Sequence, residues 1–320
     1  MRRARRGFGL VWALAVLVAT SRAHADEPAN LAKAGTEQAV EAEDPEEALE
    51  AEAQGWHWPG NVVTHDFDSA ALGRLSKYKL YLPPEVPGFV GPPPRLPVIV
   101  ALHGLGGSGR DWFSFRGGQL AGELDAAIRE GRLPPVAVVA PNGQNGYWTN
   151  HLGGKRGTAF GDLIAETLAV ATDRHGLDRR RVVIAGVSMG GHGAMSDALR
   201  NPSRYKGVVT LGGALFDVPP THRPVYFSVW GRPADPNHWA ATAPAALYAM
   251  PGLAARAPPV WLHYGEHDDD RFVRWNRHAI AQLTRHAFQL ETAVDDGSHG
   301  WRTWRQHTRT WLAWAAPLLR

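Results

Sequence analysis

The chain has 320 residues, 44% hydrophobic, with 34 basic and 31 acidic side chains, 13 tryptophans and no cysteine. The missing cysteines exclude disulfides, thiolate metal sites and cysteine nucleophiles together. The length suits one large α/β domain behind a short leader.

Four arginines (2, 3, 5 and 6) precede an apolar stretch over residues 9–20, and Ala23-His24-Ala25 offers a small-x-small cleavage site before Asp26. This is the layout of an export signal peptide over residues 1–25. The apolar run falls short of the roughly 20 residues a spanning helix needs, so no stable membrane insertion is expected. Arg5-Arg6-Gly7-Phe8 also resembles a twin-arginine signal. These 25 residues hold five of the arginines and no acid, so 29 basic and 31 acidic residues remain, a net of −2. The high whole-chain pI therefore gives no reason to expect nucleic acid as a partner. Residues 26–54 carry ten acids and one lysine in an Ala/Glu-rich tract, expected to be a disordered or loosely helical linker. The expected localisation is periplasmic or extracellular.

From residue 55 onward, short β-like runs alternate with helical patterns, which predicts a mostly parallel central sheet with helices on both faces. Val62 to Phe67 and Lys77 to Leu82 form an opening hairpin at one edge. A proline-rich connection over 83–97 leads to a buried strand over 97–102. A helix over 118–130 and a strand over 136–140 follow. Leu163, Ile164, Leu168 and Val170 have helical spacing within 160–175. The apolar run 181–185 leads into a helix over 189–200, which Asn201-Pro202 stops. Val208 to Leu211 is a strand. Residues 213–257, rich in Pro, Ala and Trp, read as a cap-like insertion. A strand over 260–264, a helix over 272–284, a strand over 288–294 and a closing helix over 301–314 complete the domain.

Gly186-Val187-Ser188-Met189-Gly190-Gly191 lies between that apolar run and its helix. Gly-x-Ser-x-Gly at a strand-to-helix turn is the layout of a nucleophile elbow. A serine hydroxyl needs an imidazole to take its proton and a carboxylate to orient the imidazole. Acid and histidine follow in the order this layout requires. Asp268-Asp269-Asp270 lies just past a strand end at Gly265, and His299 lies in Gly297-Ser298-His299-Gly300-Trp301. Asp268 is preferred for its place nearest the strand end, with Asp269 and Asp270 left open. An oxyanion hole needs two backbone N–H groups. Met189 supplies one, and Leu105, in the glycine-rich loop after His103-Gly104, the other. Trp148, His192 and Trp301 are candidates for the substrate pocket, with plain packing as the competing reading for each.

Two other motifs are set aside. Gly104-Leu105-Gly106-Gly107-Ser108-Gly109 satisfies the dinucleotide pattern, yet the next strand ends at Ala140-Pro141-Asn142 without the required acid. His263-Tyr264-Gly265-Glu266-His267 matches an inverted zinc motif that needs a helix, and its context is a strand. No cofactor and no metal ligand set is assigned.

These residues together give a chain that resembles the esterase D-type branch of the α/β-hydrolase superfamily. That branch includes S-formylglutathione hydrolases, feruloyl and acetyl-xylan esterases, and mycolyltransferases. The matching pieces are residues 102–108, 186–194, Asn201-Pro202-Ser203-Arg204-Tyr205, and 297–301 with Trp304. The resemblance implies an α/β-hydrolase sheet, hydrolysis of esters or thioesters, and no cofactor. It places Ser188, Asp268, His299 and the Leu105 and Met189 amides on the branch's functional positions. S-formylglutathione hydrolases are cytosolic and carry a different histidine context, so an exported esterase is the better expectation. Its substrate would be a small-molecule or polysaccharide ester, such as an acylated carbohydrate. A serine peptidase or polyester depolymerase on the same scaffold, or an inactive binding protein, are the alternatives.

Overall fold

The computed structural model describes residues 45–84 and 95–320. The expected signal peptide and residues 26–44 of the acidic tract lie outside them.

Eight strands form one sheet in the order β1-β2-β4-β3-β5-β6-β7-β8. β1 (Val62–Ser69) and β2 (Arg74–Tyr81) are the edge hairpin, and β2 runs antiparallel to β4 (Ala137–Pro141). All other pairings, through β3 (Val98–Leu102), β5 (Val182–Val187), β6 (Gly207–Leu211), β7 (Val260–Gly265) and β8 (Leu290–Asp295), are parallel. The central strands are apolar on both faces because helices cover both. Val98, Val100 and Leu102 face one core, while Ile99 and Ala101 face the other, as the two-residue period of a strand requires. α3 (Phe160–His175), α4 (Met189–Arg200) and α8 (Asp270–Arg285) cover the first face, and α2 (Leu120–Arg129) and α10 (Thr308–Ala315) the second. The insertion between β6 and β7 folds as three short helices, α5 (Pro224–Trp230), α6 (Pro236–Thr242) and α7 (Pro244–Leu247), each with proline in its first turn, where the missing N–H has no helical acceptor to lose.

Two elements are more definite than the sequence pattern showed. Residues 45–53, assigned by composition to the linker, form helix α1 (Pro45–Ala53). Glu47 is buried there, paired with Arg110 at 2.8 Å and accepting the Arg116 amide at 3.0 Å. Composition does not register an acid whose partners lie more than 60 residues away. The closing helix is two helices, α9 (Trp301–Gln306) and α10, broken at His307. The His307 side chain is held by Asp295, with Nε2 2.5 Å from Oδ2. An unbroken apolar spacing cannot reveal that contact.

The parallel register aligns the strand ends. Leu102 pairs with Gly186, Val187 with Leu211, Leu211 with His263, and Gly265 with Asp295. The loops leaving β3, β5, β7 and β8 therefore meet at the carboxyl edge of the sheet, where open α/β sheets place their ligands.

Candidate active site

Ser188 sits between β5 and α4 at φ 53° and ψ −115°, a conformation that costs a residue with a side chain on the order of 1–3 kcal/mol. Neighbouring contacts hold it there. Its N–H donates to Leu211 of β6 at 3.0 Å, and its carbonyl accepts from Ala214 at 2.9 Å and His192 at 3.2 Å. The flanking glycines permit the turn. A Cβ on Gly186 would lie 2.1 Å from the Gly190 carbonyl oxygen, and one on Gly190 would lie 2.0 Å from that of Leu102.

The structure brings Ser188, His299 and Asp268 into one hydrogen-bonded chain. His299 Nε2 lies 2.8 Å from Ser188 Oγ, and Nδ1 lies 2.7 Å from Asp268 Oδ2. With Nδ1–H donating to the carboxylate, Nε2 is free to accept the serine proton. Asp268 is buried, and its second oxygen accepts the Asp269 amide at 2.6 Å. The other two acids are placed differently. Asp269 caps α8 and pairs with Arg271 at 2.7 Å, and hydrogen bonds from Arg271 hold its carboxyl well below the usual carboxylate range. Asp270 is an exposed first-turn residue of α8.

The loop after β3 lies against the serine: a Cβ on Gly104 would fall 3.4 Å from Ser188 Cβ. Among the described residues, neither the Leu105 nor the Met189 amide has a hydrogen-bond acceptor, so both can donate to a developing oxyanion. The loop is built rather than loose. Gly106 N–H donates to Asn145 Oδ1 at 2.7 Å, and Ser108 and Asp111 cap a 3₁₀ turn over Gly109–Trp112. His103 anchors it from beneath. Its Nδ1–H donates to the Gly104 carbonyl at 2.8 Å, and its Nε2 accepts the Gly143 amide at 3.0 Å. Burial pulls this imidazole down to about 4, which keeps it neutral, with one donor and one acceptor as the site requires.

Ser188 and His299 open onto a cavity of about 200 Å³ walled by Leu105, Tyr147, Tyr226, Phe272 and Trp275, with His222, Arg223 and Arg271 at its lining. The three residues expected to contact substrate do not line it. Trp148 is fully buried under the β3 loop and donates its Nε1–H to the His103 carbonyl at 3.1 Å. His192 is fully buried on α4 against Tyr147, Phe216 and Trp230, bonded through Nδ1 to the Ala214 carbonyl at 3.1 Å. Trp301 packs edge-on against Trp112 and Trp304. In each case packing is the role observed. The wall residues missed from sequence come mainly from the insertion and α8, and no motif marks them. Tyr147 is the nearest to a signal, lying one position before Trp148.

Residues 69–315 match the model of the esterase family. The chain is 23% identical over 245 residues to the acetyl esterase of Caldicellulosiruptor saccharolyticus, covering 70% of this chain and 85% of that protein. Among solved structures, a ferulic acid esterase is similar with a TM-score of 0.67 at 21% identity, over 80% of this chain and 98% of that one. The fluorophosphonate-binding serine hydrolase FphF of Staphylococcus aureus is similar with a TM-score of 0.66 at 20% identity, over 81% and 99%. Both likenesses are of fold, the α/β-hydrolase fold.

Proposed function

The chain belongs to the esterase family, and from that premise we propose that it is an exported serine esterase acting through Ser188, His299 and Asp268 on short-chain esters of carbohydrate-like alcohols. The observation that carries the proposal is the continuous hydrogen-bonded chain from Asp268 through His299 to Ser188, opening onto a small aromatic-walled cavity.

Ser188 Oγ attacks the ester carbonyl carbon while His299 Nε2 takes its proton. Asp268 holds the Nδ1–H tautomer and stabilises the imidazolium that forms. The negative charge on the former carbonyl oxygen is met by the Leu105 and Met189 N–H groups, each such donor contributing ~10²–10³ in rate. Collapse breaks the ester C–O bond, and the alcohol leaves with the proton from His299. A water molecule then repeats the sequence on the acyl-enzyme and regenerates Ser188. Every proton and bond is accounted for by side chains and backbone of this chain.

The substrate reading is supported by the cavity. Its volume fits a short acyl group, and Tyr226 and Trp275 put apolar aromatic surface at its wall. The similarity to an acetyl esterase points the same way. Export rests on the arginine-led, apolar N-terminal segment and its Ala23-His24-Ala25 site.

A fluorophosphonate is expected to add once to the folded protein, at Ser188, by intact mass and peptide mapping. An unmodified protein, or an adduct elsewhere, overturns the assignment of nucleophile. In a hydrolysis panel at equal concentration, acetylated sugars and short acyl esters are expected to outpace feruloyl, long-chain acyl and thioester substrates; a reversed order removes the carbohydrate assignment and leaves the serine chemistry standing. Mature protein recovered outside the cytoplasm is expected to begin at Asp26, and retention of Met1 there would refute cleavage.

A further inference from the structure

Beneath the loop that carries His299 lies a second cluster of chemistry-bearing side chains that the ester reaction does not use. His263 of β7, Asp295 at the end of β8, and His307 between α9 and α10 place one potential ligand atom each within 4.8 Å of one another. His263 and Asp295 belong to adjacent parallel strands, in register as His263 with Ala293 and Gly265 with Asp295. His263 and Asp295 therefore project to the same side of the sheet, the side that Trp261 and α10 cover. His307 closes over them, its ring 3.9 Å from that of His263 between centroids.

His263 is fully buried, and neither of its ring nitrogens has a hydrogen-bond partner. Its Nε2 faces Asp295 Oδ2 at 3.4 Å without an aligned hydrogen bond. A buried polar atom left in this way costs about 1–3 kcal/mol, and native structures leave few of them. An ion between the three side chains would satisfy Nε2.

We propose that His263, Asp295 and His307 form a divalent transition-metal site that takes zinc. Two imidazoles and one carboxylate are the donor set that zinc takes, with a fourth position for water. The spacing agrees. Zinc bonds of ~2.0–2.1 Å in a tetrahedron put neighbouring ligand atoms ~3.3 Å apart, and the edge from His263 to Asp295 is 3.4 Å. The edge from His307 to Asp295 is 2.5 Å and opens by ~0.8 Å when the ion replaces the shared hydrogen. That proton passes to Nδ1 of a neutral ring or from a charged ring to solvent.

The site is structural in consequence. It ties β7, the edge strand β8 and the break between the last helices to one ion. Asp295 couples it to the loop: while Oδ2 faces the imidazoles, Oδ1 accepts the Gly297 amide at 2.8 Å, two residues before His299. The inverted zinc motif had paired His263 with Glu266 and His267. The fold separates them, with Glu266 on Arg277 at 3.0 Å and His267 on the Asp296 carbonyl at 2.6 Å, and supplies two partners from further along the chain.

The test uses tag-free full-length protein, stripped with chelator and titrated with zinc chloride by calorimetry, with melting followed in parallel. None of these readouts depends on the ester reaction. One equivalent is expected to bind and raise Tm, and cobalt(II) in its place is expected to give the intense visible bands of a four-coordinate site. His307→Ala is expected to weaken zinc binding by ~100-fold or more, since loss of even an outer-shell partner costs 10–100-fold, and Asp295→Asn is expected to do the same. His57→Ala, at an exposed position, is expected to bind as the parent does. A parent protein that binds no equivalent of zinc overturns the proposal whether or not the variants fold. Unchanged affinity in both folded ligand variants overturns it as well.

Discussion

Three consecutive aspartates offer the sharpest contrast at the residue scale. Asp268, Asp269 and Asp270 are identical in chemistry and adjacent in sequence, yet one is buried against His299, one is held by Arg271 at the start of α8, and one faces solvent. Asp268→Asn replaces the acceptor for Nδ1–H with a group that favours the wrong imidazole tautomer, and is expected to lower kcat on p-nitrophenyl acetate by ~10⁴-fold. Asp269→Asn loses an exposed ion pair of about 0–1 kcal/mol and is expected to change kcat by no more than a few-fold, with Asp270→Asn similarly mild. A large loss at Asp269 or Asp270 with Asp268→Asn active would move the acid. Trp148 and His192 carry the converse lesson. Both turn inward, because a strained turn places Tyr147 rather than Trp148 at the cavity and α4 buries His192 on its packed face.

At the scale of elements, the unit of β5, the turn at Ser188 and α4 was legible because its glycines are steric requirements, and steric requirements show in sequence. Gly190→Ala is expected to be severe: the new methyl meets the Leu102 carbonyl at 2.0 Å, at the root of the loop after β3. Overpacking typically costs about 1–3 kcal/mol and occasionally more; at 2–4 °C per kcal/mol the melt should fall by ~5 °C or more. Gly122→Ala is the counterpart. Gly122 lies inside α2 with nothing within 4 Å of a built Cβ, so helix propensity alone acts and the variant should gain about 0.5–1 kcal/mol. Equal melting of the two variants would refute the steric account. The stop after α4 was also visible as Asn201-Pro202, but its anchor was not. Asp197 is buried where it accepts from Asn201 at 2.8 Å, Arg204 at 2.8 Å and the Tyr205 hydroxyl, which fastens the end of the helix to the start of β6.

Among the described residues, buried imidazoles held neutral by desolvation give the molecule a pH signature. His103 and His192 are both pulled down to about 4 by desolvation, whereas an unfolded histidine titrates near 6.5. Between those values the unfolded chain binds more protons than the folded one, so stability rises with pH. The stability these residues contribute is complete above ~6.5, begins to fall as the pH drops below that value, and is lost by about 4. Most carboxylates protonate lower in the range, so the upper part of this window belongs to the histidines. Thermal melts from pH 7 to pH 5 are expected to show a steady fall in Tm, and His192→Gln, which keeps a polar side chain without the titration, is expected to make it shallower while His103 keeps the rest. A Tm that is level across this window in the parent protein would rule the account out.

The sequence by itself determined the class of sheet, most of its strands, the position of the sharp turn at Ser188 and the order of acid and histidine, because strand period, glycine sterics and chain order are local properties. The place nearest the strand end favoured Asp268, and tertiary structure brought it to His299; tertiary structure alone decided which aromatics wall the cavity, that an acidic tract ends in a docked helix, and that His263 finds Asp295 and His307 instead of its sequence neighbours. Each of those outcomes turns on contacts between residues far apart in the chain, and the parallel register that aligns the strand ends creates them only once the sheet has formed.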